Sequence, residues 1–173
     1  NKHHRRSIRL KGYDYSQPGK CFVTICTKNR KCLFGDVVNG KMVLNDADKM
    51  IEKWYFELPN KFPDIQCDQY IIMPNHIHFI IIIVGADLRV CPDDIGEHIG
   101  SPLHKIIQWF KTMTTNEYIR NVKNNRWEPF DGKLWQRNYY EHIIRNEQEL
   151  NKIREYIINN PLKWELDKYY SEK

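Results

Sequence analysis

The run His76-Ile77-His78-Phe79-Ile80-Ile81-Ile82-Ile83-Val84, entered from Tyr70-Ile71-Ile72-Met73 through Pro74-Asn75, leaves a chain few ways to fold. It is rich in β-branched residues and apolar at nearly every position, so it reads as a strand buried on both faces of a sheet. Side chains alternate along a strand, which sends His76 and His78 to one face and Ile77 and Phe79 to the other. Two imidazoles on one face of a rigid strand are placed to share a metal ion. The bland alternative is a pair of histidines capping the polar end of a core strand. The six apolar residues from Phe79 to Val84 favour ligands over that reading.

A second constellation lies near the other end of the chain. Between Glu149 and Pro161, Leu150, Ile153, Ile157 and Ile158 recur at helical spacing and mark a buried stripe. Tyr156 and Asn160, four residues apart, stack on one flank of it and can present a phenol and an amide oxygen to one small volume. Pro161 disfavours helical geometry at Asn160 and ends the helix there. An amphipathic terminal helix with a half-buried Tyr and an Asn near its C-cap is the alternative.

Together these segments resemble the single-tyrosine HUH transposases and, within them, the REP-associated tyrosine transposases, bacterial enzymes that cut and rejoin single-stranded DNA beside hairpins. The resemblance rests on Met73-Pro74-Asn75-His76-Ile77-His78, on Trp135-Gln136-Arg137-Asn138-Tyr139-Tyr140-Glu141-His142-Ile143-Ile144-Arg145 and on Tyr156-Ile157-Ile158-Asn159-Asn160-Pro161. It rests also on the opening Tyr13-Asp14-Tyr15-Ser16 and Phe22-Val23-Thr24-Ile25-Cys26-Thr27. The resemblance implies Tyr156 as nucleophile, a 5′-phosphotyrosine intermediate, Mg²⁺ or Mn²⁺ as cofactor, and a hairpin-forming single-stranded DNA partner. Dimeric relatives donate the tyrosine helix in trans, so a homodimer with a composite site is one expectation.

The 173 residues suffice for one domain that buries most of its unfolded surface without staples. The five cysteines, Cys21, Cys26, Cys32, Cys67 and Cys91, are odd in number and contain no Cys-x-x-Cys, which suggests neither a disulfide framework nor a zinc ribbon. No apolar run reaches membrane-spanning length, and a bacterial cytoplasmic protein, nucleoid-associated when bound to DNA, is expected. The net charge of +5 is concentrated in residues 1–20, where Lys2, Arg5, Arg6, Arg9, Lys11 and Lys20 face Asp14 alone. A basic arm interleaved with Tyr13 and Tyr15 suits phosphates and unstacked bases, where a solvated terminus is the plain alternative. Arg5, Arg6, Arg9 and Lys11 are therefore candidate nucleic-acid contacts, joined by Lys105, Lys111, Arg137 and His142.

Residues 1–20 are expected to form this arm and 21–173 a single catalytic domain. Cys21–Thr27 reads as a strand, and 32–38 with 41–44 as a hairpin around Asn39-Gly40. Asn45 should cap a helix carrying Ala47, Met50, Ile51, Trp54 and Leu58 inward, which Pro59 stops. Strands are expected over 66–73 and 76–84, then a mobile loop over 85–100, then a helix opened by Ser101-Pro102 with Leu103, Ile106, Ile107, Phe110 and Met113 as its stripe. A long strand over 135–144 precedes the Tyr156 helix, which Asn146 and Glu149 should cap. The order β-α-β-β-α-β plus a terminal helix is the α+β, ferredoxin-like plan, and it agrees with the fold the resemblance implies.

Two imidazoles and the neutral oxygen of Asn160 suit Mg²⁺ or Mn²⁺ with positions left for phosphate oxygens, although imidazoles also attract Zn²⁺ or Cu²⁺. A phenol of ordinary pKa near 10 needs help to lose its proton, and Lys152, one turn before Tyr156, is a candidate assisting base or a plain surface lysine. Tyr139 and Tyr140 are rival nucleophiles, but no oxygen ligand stands four residues on from either. Two other classes compete: a non-catalytic single-stranded nucleic-acid-binding module, and a metal phosphodiesterase that uses water.

Overall fold

A computed structural model describes residues 18–84 and 102–171. The arm residues through 17 and the loop expected over 85–100 lie outside the described residues. The strands are β1 (Gly19–Cys26), β2 (Gly35–Val38), β3 (Lys41–Leu44), β4 (Ile65–Met73), β5 (His76–Ile83) and β6 (Tyr140–Ile144). The helices are α1 (Asp46–Phe56), α2 (Leu58–Lys61), α3 (Pro102–Asn125) and α4 (Glu147–Ile158), with 3₁₀ segments at Lys28–Arg30 and Pro161–Leu166.

The main sheet runs β4-β5-β1-β6, with every neighbouring pair antiparallel. With β2 and β3 set aside as a separate hairpin, this is the strand order of the ferredoxin-like plan, in which the first and third core strands lie centrally. The β-branched run of β5 thus sits beside β1 in the middle, where its side chains are buried on both faces. One face, carrying Val23, Ile25, Ile77 and Phe79, packs with Ile51 of α1 and with Ile106 and Phe110 of α3 into the larger core. The other face carries Phe22, Ile80 and Ile144 against Leu150 and Ile157 of α4.

Local chemistry explains the joints. Asn39 and Gly40 both take positive φ, 51° and 69°, the backbone a two-residue hairpin loop requires. The Asn45 side chain accepts from the Asp48 N–H at 3.1 Å, and that of Asn146 from the Glu149 N–H at 2.8 Å, so both caps form where the sequence places them. Among the described residues, no helix is long and apolar enough to cross a membrane.

Several boundaries differ from expectation. Pro59 does not stop a helix; it falls in the first turn of α2, where its missing N–H costs nothing. The strand expected from Cys32 begins only at Gly35, because the Leu33 and Phe34 N–H groups both donate to the Pro74 carbonyl. The stripe of α3 continues through Thr114 and Tyr118 rather than Met113. Ile158 is 58% exposed, so α4 docks through a narrower seam than its sequence suggests. The long strand over 135–144 is a ladder only from Tyr140; Trp135 makes one bridge with Thr27, and the residues between bend around a lysine ammonium.

Candidate active site

Sheet register assembles the site before any side chain is considered. His78 lies opposite Thr24 on β1 and Ile71 on β4, and Thr24 lies opposite Tyr140 on β6, which puts one row of side chains under α4. Directly opposite residues share a face, so His78, Thr24 and Tyr140 line a common cleft. Its volume is about 690 Å³, and α4 contributes Lys152, Glu155 and Tyr156 to its wall while Asn159, Asn160 and Asp167 close it.

Hydrogen bonds decide what the imidazoles can do. The Asn75 side-chain N–H₂ donates to the Arg30 carbonyl at 3.1 Å and the Tyr169 carbonyl at 2.9 Å, which turns its oxygen toward His76 Nδ1, 2.8 Å away. His76 Nδ1 therefore carries the proton, and Nε2 has a bare lone pair. His78 Nδ1 lies 2.8 Å from Thr24 Oγ1. With Nδ1–H donating to Thr24 Oγ1, His78 Nε2 is left as a lone pair that faces the Tyr156 hydroxyl. The two Nε2 atoms end 3.0 Å apart. Burial holds both rings well below the usual histidine range, His78 at about 3, so both are neutral at pH 7.

Two lone pairs aimed at one point repel unless something positive lies between them. The surroundings fit a divalent cation. A ring nitrogen of His76, a ring nitrogen of His78 and a carboxylate oxygen of Asp167 all lie within 4.8 Å of one another. Ligands at about 2.1 Å in adjacent octahedral positions stand about 3.0 Å apart, which matches the separation of the Nε2 atoms. Asn160 is 2% exposed; its N–H₂ donates to Asp167 at 3.1 Å, and its Oδ1 is buried without a partner. An amide oxygen buried without a protein partner beside these donors fits a further cation ligand.

The placement of the remaining candidates is mixed. The Tyr156 hydroxyl lies 3.4 Å from His78 Nε2, half-exposed to the cleft. Burial, then Asp167, push its phenol up to about 12, with Asn160 pulling the other way. Asn160 does not sit at an exposed, non-helical terminus: it keeps helical φ and ψ (−59°, −42°) despite Pro161 and turns inward. Lys152 lines the cleft. Lys111 points inward and donates to the carbonyls of Gln136, Arg137 and Asn138 at 3.0, 3.4 and 3.2 Å, while burial lowers its pKa to about 8. His142 bonds Glu149 at 2.7 Å, tying β6 to the start of α4. Lys105 and Arg137 lie on α3 and before β6, and Arg5, Arg6, Arg9 and Lys11 lie outside the described residues.

Sequence reasoning missed Asp167. It stands eleven residues after Tyr156, outside any motif, and reaches the histidines because the 3₁₀ segment Pro161–Leu166 turns the chain back. The following stretch is pinned there by the Arg30 guanidinium on the Lys168 carbonyl (2.9 Å) and by Asn75 on that of Tyr169. The Tyr169 ring then lies 4.8 Å from that of His76.

The helix bearing Tyr156 buries only Leu150 and Ile157 fully, about 3 to 6 kcal/mol of apolar burial. Polar clamps supply the rest of its registration. A β-bulge between Cys67 and Tyr70 exposes Asp68 to Arg154, whose Nε and Nη2 both donate to the carboxylate, at 2.9 and 2.5 Å. That guanidinium holds the Asp68 carboxyl below the usual carboxylate range. The contribution is present above the unfolded value of about 3.9 and fades as pH falls through the lower folded one. Arg154→Ala should therefore cost about 1 to 2 kcal/mol in urea unfolding at pH 7 and progressively less below pH 4. A cost unchanged at pH 2.5 would show that packing by the arginine stem, not the ion pair, is responsible.

Comparison with known proteins bears on the fold that carries this site. A family described as "Transposase IS200 like" matches residues 95–160. An uncharacterized protein of Haemophilus influenzae is 42% identical over 97% of this chain and 94% of its own length. A second Haemophilus influenzae protein, provisionally named a REP-associated tyrosine transposase, is 25% identical over 87% of this chain and 74% of its own. A solved REP-associated tyrosine transposase, bound to a REP hairpin, shares the fold with a TM-score of 0.58 at 17% identity, over 90% of this chain and 73% of that one. Fold and relatives thus point one way: the chain is similar to the IS200-like transposases over residues 95–160 and shares the fold of a REP-associated tyrosine transposase.

Proposed function

We propose that the protein cleaves and rejoins single-stranded DNA beside hairpins, through a covalent 5′-phosphotyrosine formed on Tyr156. The observation that carries this reading is the Tyr156 hydroxyl 3.4 Å from His78 Nε2, in a cleft that Asn160 and Asp167 also line, with the buried His76 Nε2 3.0 Å behind that of His78. His76, His78 and Asn160, with Asp167 as a fourth donor, would hold Mg²⁺ or Mn²⁺. Such a cation, when bound, draws off the charge that builds on phosphate oxygens during displacement. The chain's own residues do the rest. Tyr156 oxygen attacks phosphorus as the bond to the 3′-oxygen breaks; the phenolic proton passes to an assisting base, for which Lys152 lines the cleft, and the departing 3′-oxygen takes up a proton. The phosphodiester energy stays in the tyrosine ester, so a second 3′-hydroxyl can reverse the step and join strands without ATP.

Incubation with a 5′- or 3′-labelled hairpin oligonucleotide and Mn²⁺ or Mg²⁺, followed by denaturing electrophoresis, tests this directly. A protein–DNA adduct on the 5′ side of the cut is expected. Free 5′-phosphate ends would instead assign a water-using phosphodiesterase, and retention without cutting a binding module.

The basic arm is proposed to add phosphate contacts. Deleting residues 1–11 removes Lys2, Arg5, Arg6, Arg9 and Lys11. Hairpin affinity should fall, and the log–log salt slope should flatten by about 0.7 for every single-strand phosphate that the deletion leaves unneutralised. An unchanged slope would remove the arm from the interface.

A further inference from the structure

Lys168 lines the same cleft as Tyr156 and His78, yet nothing in the proposed chemistry uses it. Its backbone is fixed. The Arg30 guanidinium donates to the Lys168 carbonyl at 2.9 Å, and around it the Tyr169 N–H donates to the Asp167 carboxylate at 2.8 Å and the Tyr170 N–H to the Asp167 carbonyl at 2.9 Å. The ammonium stands 5.1 Å from the centre of the Tyr140 ring and 4.9 Å from that of Tyr169. Two aromatic rings hold a cation in place without neutralising it, so its charge and N–H groups stay available to a ligand.

The charge of this lysine is felt at the histidines. After burial, it is a further cause of the low pKa of both His76 and His78. A lysine held there works against the divalent cation that His76, His78, Asn160 and Asp167 would bind, because like charges repel. Asp167 offsets only one positive charge, and the other charged residues of the lining, Lys152, Lys163 and Glu155, add one more. An excess of positive charge of this kind suits a cleft in which an anion arrives with the metal.

The two rings also fix where that charge lies. Tyr140 and Tyr156 both stand edge-on to Phe22, at 6.2 and 6.1 Å between centres, so one ring under Lys168 borders the nucleophile. The other ring, Tyr169, lies 4.8 Å from that of His76 and 5.8 Å from that of His78. An ammonium in contact with both has the neighbour of Tyr156 on one side and the paired imidazoles on the other. A phosphate within reach of the Tyr156 oxygen is thereby beside a positive charge supplied by the chain itself.

We propose that Lys168 binds a non-bridging oxygen of the phosphate that Tyr156 attacks. The inference rests on the proposed attack by Tyr156 and adds the residue that holds its target. Charge grows on the phosphate oxygens during displacement, so a contact made to them strengthens in the transition state. A lysine present only to cover the two rings would touch no phosphate, and glutamine would replace it without loss.

The test reads binding of the full chain, in EDTA, to a hairpin oligonucleotide with a single-stranded extension in which an uncharged methylphosphonate replaces one phosphate at a time. Lys168→Gln and the methylphosphonate at the linkage cut in the adduct assay should each weaken binding about fivefold, and the two together no further than either alone. At every other linkage the two changes should act independently. Lys168→Arg should keep the coupling, and Lys163→Gln, in the same cleft wall, should leave it as in wild type. With Mn²⁺ present, Lys168→Gln should slow adduct formation about 10- to 100-fold, yet its unfolding midpoint should rise at lower Mn²⁺ than that of wild type, because a repelling charge has gone. Independent effects at the cut linkage, coupling at a different linkage, a higher Mn²⁺ requirement, or a Lys168→Gln chain that binds as wild type does would each overturn the contact. Because the adduct is scored separately, an adduct without coupling strikes the contact and leaves the cleavage reading standing, and absence of any adduct removes both.

Discussion

Tyr156→Phe is expected to abolish covalent attachment to DNA, by on the order of 10³-fold or more, while fold and hairpin binding persist. The substitution removes one oxygen. The ring keeps its edge contact with Phe22, 6.1 Å between centres, and the seam of Leu150 and Ile157 is untouched. Two other phenols test the assignment. Tyr140 lines the same cleft, but its ring lies against Phe22 and under Lys168. Tyr169 is nearer to His76, its ring 4.8 Å away, yet it belongs to the stretch after Asp167 that Arg30 and Asn75 pin through backbone carbonyls. Tyr140→Phe and Tyr169→Phe should both retain the adduct. Peptide mapping of the DNA-linked protein settles the matter: a label on the peptide containing Tyr169, or an adduct that survives Tyr156→Phe, would reassign the nucleophile.

What could be read from the sequence was whatever depends on near neighbours. Alternation along β5 paired the histidines, helical spacing on α4 put Tyr156 beside its stripe, and cap residues at Asn45 and Asn146 announced their helices. The order of elements yielded the sheet. What could not be read was set by distant partners. Lys111 looks like a surface lysine at helical spacing, and only the three carbonyls of 136–138 turn it inward. The strand expected from Trp135 gives way to the same interaction. Asn160 was expected at an open helix end, but the chain continues through Pro161 in a 3₁₀ turn, and the amide is buried against Asp167. Asp167 itself carries no local signal, since its place beside the histidines is made by a reversal of the chain and by the bonds that Arg30 and Asn75 make to the residues just after it. Tertiary interactions of this kind override local propensity without leaving a periodic trace.

His78→Ala and His76→Ala should each eliminate metal-dependent cleavage while hairpin binding continues, because the proposed phosphate contacts of the basic arm lie elsewhere. The arrangement makes these two effects larger than those at the oxygen donors. Each imidazole has one nitrogen fixed by a protein partner, Asn75 for His76 and Thr24 for His78, so the other is presented as a ready lone pair. Removing either ring removes one of the two nitrogen donors outright. Asn160→Ala and Asp167→Asn each leave both imidazoles in place, and should weaken metal binding by about 10- to 100-fold rather than abolish it. A direct readout apart from cleavage is thermal unfolding titrated with Mn²⁺, since an ion that binds only the folded chain raises its midpoint with concentration. Wild type should show that rise, Asn160→Ala and Asp167→Asn should show it at higher Mn²⁺, and the histidine variants should not show it at all. Cleavage undiminished in EDTA, or a Mn²⁺-dependent rise preserved in His78→Ala, would mean that the ion is held somewhere other than between these two rings.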